Sequence, residues 1–521
     1  MLDTALLLPL LATFARPASS SQLIELQNVS FTPSSTSQLL DQSLASLSIE
    51  FAYLTSFGGN NSQPNLLTKN LMKLLEDRTG VGPDLRPGGI TIDSSVYDPD
   101  GPALVLDESS AGGIYRTIFG PTFYESLNVF PNSTRFVVDV NLENDTIKFA
   151  RDEIAAAIEH IGWDRIRALE LGNEADHYAG GSRPAGWASN DYTAEFLGWT
   201  AVLSRNLSLP KGIFQAGSFA DDPLPDAAMS TVDIIDEGVD TSGVIKLFNQ
   251  HMYQYSTCDP GRNAIATLPN LVNHTNITNY VDLWKPQIAA AQREGKAFVV
   301  GEYNSVSCSG KENVTNTFGQ ALWLADTILY SASVNISRMY LHQGATLVLQ
   351  SGDQVNTPGF SWYDLWYPVE TERYGVASAS PSFVAYLLIA EAVGASGASR
   401  ITLVDIAQHP DLAVYIIWDN QSLSRLVILN MAHRNITTTP DEAAAVAVTV
   451  HLSNILGENG GDQVKVKRLT APGMDSTDAA ATAWAGQTYF NGTATGDETI
   501  EGLDQGRVEV GGSEGVLVLL S

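Results

Sequence analysis

From about residue 47 the chain repeats one two-part pattern, a short apolar run followed by a longer amphipathic one. Runs of strand character joined through helical segments lie parallel, because each helix returns the chain to the starting edge of the sheet. Eight runs fit: SLSIEFAYL centred on Ser48–Leu54, LRPGGITID ending at Asp93, RFVVDVNL from Arg135, IRALELGNE from Ile166, IFQAGSFA from Ile213, IKLFNQHMYQ from Ile245, AFVVGEYNS from Ala297 and RMYLHQG from Arg338. The segments between them place Leu67, Leu71 and Leu74, then Ile154, Ile158 and Ile161, then Phe318, Leu322, Ala325 and Leu329, and finally Phe383, Leu387 and Ala390 at helical spacing. Eight such units close a (β/α)8 TIM barrel, expected over residues 46–395.

Past Gly394 the pattern changes to short alternating strands such as Leu412–Trp418, separated by Gly, Asp, Asn and Thr. This is the signature of a β-sandwich, expected over residues 396–521. LIELQNVSF, within residues 21–45, is also strand-like and is expected to join that C-terminal sheet.

Acidic residues outnumber basic ones 58 to 29, for a net charge of −29. Such a surface repels phosphate polymers, which argues against a nucleic-acid partner, and no interior run is apolar and long enough to span a bilayer. Residues 1–20 read as a signal peptide, an apolar run followed by small residues, although Asp3 precedes it and no Lys or Arg does. Twelve Asn-X-Ser/Thr acceptors, at Asn28, Asn60, Asn132, Asn144, Asn206, Asn273, Asn276, Asn313, Asn335, Asn420, Asn435 and Asn491, fit a secreted glycoprotein. Cys258 and Cys308 are the only cysteines. They fall five residues past Tyr253 and six past Glu302, in loops after adjacent strands, so one disulfide between them is expected in an oxidising compartment.

Two carboxylates stand out. Barrel chemistry sits at the carboxyl ends of the strands, and by this count Glu174, in ALELGNEADHY, ends strand 4 while Glu302, in VVGEYNS, ends strand 7. A pair of carboxyl groups flanking one bond is what glycoside hydrolysis requires. No metal-ligand cluster or phosphate loop is evident, and this chemistry needs no cofactor.

The pairing of LGNEADHY with VVGEYNS resembles the clan A retaining glycosidases. With SIEF at Ser48–Phe51, NLLTKNLMKLLEDRTG at Asn65–Gly80 and RPGGITID at Arg86–Asp93, the chain resembles glycoside hydrolase family 79, which includes β-glucuronidases and heparanases. The resemblance implies that Glu174 is the general acid/base, Glu302 the nucleophile, and Asn173 a donor to the sugar 2-hydroxyl. It implies that Tyr253 hydrogen-bonds the nucleophile and that Glu50 and Asp93 bind sugar hydroxyls, an ion pair with Arg86 being the alternative for Asp93. Gly359, Trp362 and Tyr363 become candidates for holding the glucuronate carboxylate, although GFSWYDLWYP departs from the Gly-X-Gly-Asn-Tyr-like stretch of heparanase.

The implied activity is removal of a terminal β-linked glucuronic acid, or its 4-O-methyl form, from a glycan partner such as arabinogalactan. Few basic residues and a net charge of −29 fit this exo action better than endo action on a sulfated polyanion. A heparanase-like endo-enzyme, another clan A exo-glycosidase and a carbohydrate-binding protein on an inactive barrel are the alternatives.

Overall fold

The computed structural model describes residues 22–26, 32–33, 36–108, 114–346, 356, 359–406, 408–456 and 463–520. The expected signal segment and Asn28 lie outside them. Eight strands, β1 (Ala45–Glu50), β2 (Leu85–Gly88), β3 (Phe136–Val140), β4 (Ile166–Leu171), β5 (Phe214–Phe219), β6 (Ile245–Ser256), β7 (Ala297–Ser307) and β8 (Ile336–Gln343), close a barrel in chain order. Every neighbouring pair is parallel, with β8 returning to β1.

The outer helices follow the spacing of the sequence. The helix Leu66–Thr79 starts where the Asn65 side chain accepts from Thr68 N–H, stops at left-handed Gly80, and buries Leu67, Leu71 and Leu75 on one face. One crossover departs from the pattern. Between β2 and β3 the chain first builds a small sheet of Ser95–Tyr97, Leu104–Glu108 and Ile114–Phe119, then returns through the 3-10 helix Pro121–Val129. Pro121 and the bulky Phe123, Leu127 and Val129 suit this short, buried connection.

The barrel interior is layered. Toward the amino ends Val137, Leu247, Val299 and Tyr340 form an apolar plug. Above it Arg86, Asp139, Glu170, Gln215, Asn249 and Glu302 are all buried. A polar layer inside a barrel costs desolvation unless its members satisfy one another, so the chemistry of the mouth rests on that pairing.

Past the barrel, β9 (Ser399–Val404), β10 (Leu412–Asp419), β11 (Ser422–Asn430), Glu514–Leu519, Lys465–Thr470 and Ala483–Trp484 form a six-stranded antiparallel sheet. Strand β10 reads LAVYIIWD because both of its faces are covered. Val414, Ile416 and Trp418 meet a second sheet, while Ala413, Tyr415 and Ile417 join the barrel's core. Tyr415 Oη donates to Asp326 Oδ1 on the helix Phe318–Ser333, which fixes the seam. The second sheet has three strands, in which Gln22–Glu25 pairs in parallel with Val448–His451 and Arg507–Val510 completes the order.

Strand β5 carries a bulge against β6 that positions the mouth. Gly217 has φ +110° and Ser218 φ +64°, and a Cβ on Gly217 would lie 2.1 Å from the Asn249 carbonyl oxygen. The bulge turns the Ser218 carbonyl toward β4, where it accepts from Glu174 N–H at 2.9 Å. Gly217→Ala is therefore expected to cost about 3 kcal/mol or more, from backbone strain plus overpacking. Gly180→Ala, at φ +78° with no atom within 4 Å of its Cβ position, should cost only the left-handed penalty of about 1–2 kcal/mol. Thermal unfolding of the two variants checks the difference; equal losses would show that the bulge tolerates a side chain.

Candidate active site

A cavity of about 440 Å³ opens at the carboxyl ends of the strands. Its wall includes Glu50, Asn173, Glu174, His177, Tyr253, Glu302, His342 and Tyr363. Carboxylate oxygens of Glu174 and Glu302 and a ring nitrogen of His251 lie within 4.8 Å of one another. Two carboxyl groups at that separation leave room for one glycosidic bond and fit the shorter, retaining spacing of about 5–5.5 Å.

Glu302 projects from β7 into a nest of donors. Arg86 Nη1 donates to Oε2 at 2.7 Å, Tyr253 Oη donates to Oε1 at 2.8 Å, and His342 Nδ1 lies 3.4 Å from Oε2. Burial alone would raise its pKa. The positive charges of His342, His251 and Arg86 and the Tyr253 hydrogen bond outweigh burial and hold it at about 2, so the group stays ionised. His342 in turn is held above the ordinary histidine range, against the effect of burial, by Glu302 and Glu50.

Arg86 is the hub below the pair. It is fully buried and also donates to Glu170 at 2.9 Å, Asp139 at 2.8 Å and the Asn173 Oδ1 at 3.0 Å. Glu170 is held further by Asn249 Nδ2 at 2.7 Å and by Gln215. Burial pushes Asp139 well above the usual carboxylate range, against the pull of Arg86.

Glu174 lies three residues past β4 with φ +52°, a left-handed conformation that a glutamate adopts only under constraint. The constraints are backbone hydrogen bonds. Glu174 N–H donates to Ser218, its carbonyl accepts from His177 N–H at 2.8 Å, and Asn173 N–H donates to Asp93 Oδ2 at 3.2 Å. The side chain lies 3.1 Å from His251 Nδ1 through Oε1, and 3.7 Å from His177 Nδ1 through Oε2. His177 is pushed up to about 9, first by its contact with Asp221 and further by Glu174, while burial opposes the shift.

The structure brings Glu50, Asn173, Glu174, Tyr253, Glu302 and Tyr363 to this cavity and leaves three other candidates outside its lining. Glu50 accepts from Thr91 N–H at 3.0 Å, and Gly89 beside it is left-handed, with room for a Cβ only if that carboxylate moved. Asp93 belongs to a separate groove. Its carboxyl accepts from Tyr178 Oη at 2.7 Å and from the Asn173 backbone, and burial raises its pKa to about 7. The alternative ion pair of Asp93 with Arg86 is not formed either, because Arg86 is taken by Asp139, Glu170 and Glu302.

Gly359 pairs beside Ala345–Thr346, and Trp362 stacks edge-on against Tyr374 under Arg373. Neither lines the cavity. Cys258 and Cys308 are bonded, with Cα atoms 5.9 Å apart, and tie the ends of β6 and β7 together at the cavity wall. His251, His342 and His177 were not singled out by their motifs. His251 had a signal: Asn249, His251 and Tyr253 alternate along β6, so all three point to the face that carries Tyr253.

Residues 414–517 match the glycosyl hydrolase family 79 C-terminal beta domain. A beta-glucuronidase of Aspergillus niger is 30% identical over 500 residues, covering 91% of this chain and 87% of the relative. A beta-glucuronidase of Neurospora crassa is 28% identical over 519 residues, covering 91% and 89%. Among solved structures, a 4-O-α-L-rhamnosyl-β-D-glucuronidase from Fusarium oxysporum shares the fold, with a TM-score of 0.77 at 22% identity over 95% of this chain and 100% of that one. A family 51 α-L-arabinofuranosidase from Bifidobacterium longum shares it at TM-score 0.59 and 13% identity, over 93% and 97%.

Removing the hub leaves Asp139 and Glu170 buried without their cation and Glu302 with only its histidine neighbours. Arg86→Met is expected to cost about 3–5 kcal/mol at neutral pH. Those carboxyls would then fold with raised pKa values, so stability contributed by their protonated forms is lost as pH rises above the unfolded values and recovered as it falls. Denaturation of the variant between pH 7 and pH 5 should show stability increasing toward pH 5. A variant as stable as the parent at pH 7 would mean that Arg86 does not anchor the layer.

Proposed function

The chain belongs to glycoside hydrolase family 79 and is a glycoside hydrolase, and from that premise we propose that it is a retaining exo-β-glucuronidase that releases terminal β-linked glucuronic acid from glycans. The observation that carries this reading is the Glu174–Glu302 pair, within 4.8 Å of one another across one cavity. Glu302 is surrounded by cations and hydrogen-bonded by Tyr253, as a nucleophile that must stay ionised requires. Glu174 stands above it on the β4 loop, where it can protonate the leaving oxygen.

In the first step a Glu302 oxygen bonds to the anomeric carbon while the bond to the leaving oxygen breaks, and Glu174 gives that oxygen its proton. In the second, Glu174 takes a proton from water, whose oxygen displaces Glu302 from the anomeric carbon. Both steps proceed through a positively charged sugar, which the ionised Glu302 and the carboxylate-rich wall stabilise. Asn173, whose Oδ1 is held by Arg86, turns its amide donor to the sugar's 2-hydroxyl, and Glu50 accepts from another hydroxyl.

In the lining, Asp221 and Asp222 stand with Glu50, Glu174 and Glu302 against Arg262, His177 and His342, an excess of carboxylates that favours a neutral glycan over a sulfated polyanion as the aglycone. This supports exo action on arabinogalactan-type chains, with or without 4-O-methylation, over a heparanase-like activity.

We also propose that the protein is secreted and glycosylated. No helix of the described residues is long and apolar enough to cross a membrane, and Asn60, Asn132, Asn144, Asn206, Asn313, Asn420, Asn435 and Asn491 are exposed. Asn273, Asn276 and Asn335 are half-buried.

On a panel of aryl glycosides, the β-glucuronide is expected to be turned over, with the β-anomer released first by NMR. Glu302→Gln should abolish turnover, and Glu174→Ala should retain activity on good leaving groups. Release of the α-anomer first would remove the nucleophile assignment, and preference for another glycoside would remove the substrate.

Tyr253→Phe deletes a hydrogen bond that lowers the Glu302 pKa, so the pH at which kcat/KM falls on the acidic side should move upward by about one unit. An unmoved acidic limb would assign that limb to another group. For the secretion proposal, endoglycosidase treatment of the protein from a fungal culture medium should lower its mass; an intracellular, unmodified chain would contradict it.

A further inference from the structure

The small sheet between β2 and β3 borders a second groove, of about 720 Å³, on the same face of the barrel as the catalytic cavity. Its walls come from segments that leave the carboxyl ends of β2, β3 and β4. Tyr97, Tyr115, Arg116 and Phe149 line it with Asp98 and Glu143, and Asp93 lies at its floor.

Two observations suggest that the groove takes a ligand. The register shifts between Asp107 and Glu108, where Glu108 pairs with Ile114 and Asp107 with Arg116, so Tyr115 is an extra residue in a bulge. Successive residues of a regular strand point to opposite faces, yet here Tyr115 and Arg116 are both exposed, Tyr115 by 58%, and both line the groove. Arg116 stands exposed beside Tyr115 in the groove wall. An exposed aromatic ring, two half-buried ones, a guanidinium and several carboxylates supply apolar faces for pyranose rings together with donors and acceptors for their hydroxyls.

The second observation is adjacency. Asn173 and His177 line the catalytic cavity while Ser182 lines the groove, so a single loop after β4 separates the two. Asp93 touches both sides, since it lies in the groove and accepts from Asn173 N–H. That loop carries Glu174, which in the proposed reaction faces the leaving group. The groove therefore adjoins the loop that carries the acid/base, next to the catalytic cavity.

The geometry points to a distal aglycone subsite in this groove, which binds a chain of neutral hexopyranoses while the terminal uronic acid occupies the cavity. This rests on the glucuronidase reading and adds that the natural substrate is an oligomer rather than a small glucuronide. A sulfated chain is disfavoured, because Asp93, Asp98 and Glu143 share the lining with a single cation, Arg116, among the described residues.

The test separates groove from chemistry. Catalytically inactive Glu302→Gln protein, titrated calorimetrically with β-linked galacto-oligosaccharides that lack glucuronate, should bind a hexasaccharide more tightly than a disaccharide. Adding Tyr115→Ala with Arg116→Ala should weaken the hexasaccharide about tenfold. In the active enzyme the same double substitution should raise KM for a glucuronate-capped hexasaccharide about tenfold and leave kcat and aryl glucuronide turnover unchanged.

Binding that does not depend on oligosaccharide length, an unchanged KM, or an equal loss on the aryl substrate would each overturn the subsite. So would binding that emerges only in Asn144→Gln protein, because Asn144 lines the groove and its own glycan would then be the occupant. If the parent enzyme turns over no glucuronide while the inactive protein still binds longer chains through Tyr115 and Arg116, the catalytic reading fails and the groove stands.

Discussion

One buried guanidinium sets the terms for the rest of the molecule. Arg86 lies inside the barrel with no exposure, and its donors fix Glu302 from β7, Glu170 from β4, Asp139 from β3 and the side chain of Asn173. An arginine can do this where a lysine cannot, because its planar fork reaches several acceptors at fixed angles and keeps its charge when buried. The price in desolvation is met by this density of partners, and the result is a nucleophile that is ionised and immobile before any substrate arrives.

Above that layer the protein accepts backbone strain to aim its second carboxylate. Glu174 and Ser218 both sit at positive φ, each on a strand end that the other supports through one hydrogen bond. Asp93 and Tyr178 complete the brace, with Gly172 packed so closely that a Cβ would touch Tyr178 Oη. Strain of this kind persists only where surrounding structure over-determines it. Other non-glycine residues at positive φ end outer helices, as Ser208 does after Ser189–Leu207, whereas Glu174 and Ser218 carry theirs at the mouth.

Much of this could be read from the chain, for identifiable reasons. Parallel strands alternating with helices announce themselves through period, so all eight barrel strands overlap their apolar runs, but β1 stops at Glu50 and β2 at Gly88, short of Leu54 and Asp93, where the chain is already helical. The double-faced burial of β10 shows as an unbroken apolar stretch. Glu174 and Glu302 were legible because each follows an apolar run, although Glu302 does not end its strand: β7 continues past it to Ser307. Asp93 stands outside the cavity lining because the strand stops at Gly88 and the chain turns into the 3-10 helix Ile90–Ser94, a change of path that the run LRPGGITID does not show. The histidines escaped for a related reason: His251, His342 and His177 act through contacts between residues 40 or more positions apart, or through a short turn, and only His251 left a trace, in its alternation with Tyr253. Gly359 and Trp362 depended on likeness to a loop that this chain does not share.

The pairing of Gln22–Glu25 with Val448–His451 has a consequence for biogenesis. The first described strand of the protein finds its partner more than 400 residues later. As the chain leaves the ribosome, Ile24 and Leu26 have no apolar surface of their own to cover until the C-terminal sheets exist. The outer face of the barrel that receives Tyr415 and Ile417 is likewise bare until then. Formation of these contacts is therefore bound to the end of synthesis, and a ribosome that stops early would deliver a barrel with one uncovered flank, a natural target for quality-control factors that bind exposed apolar surface.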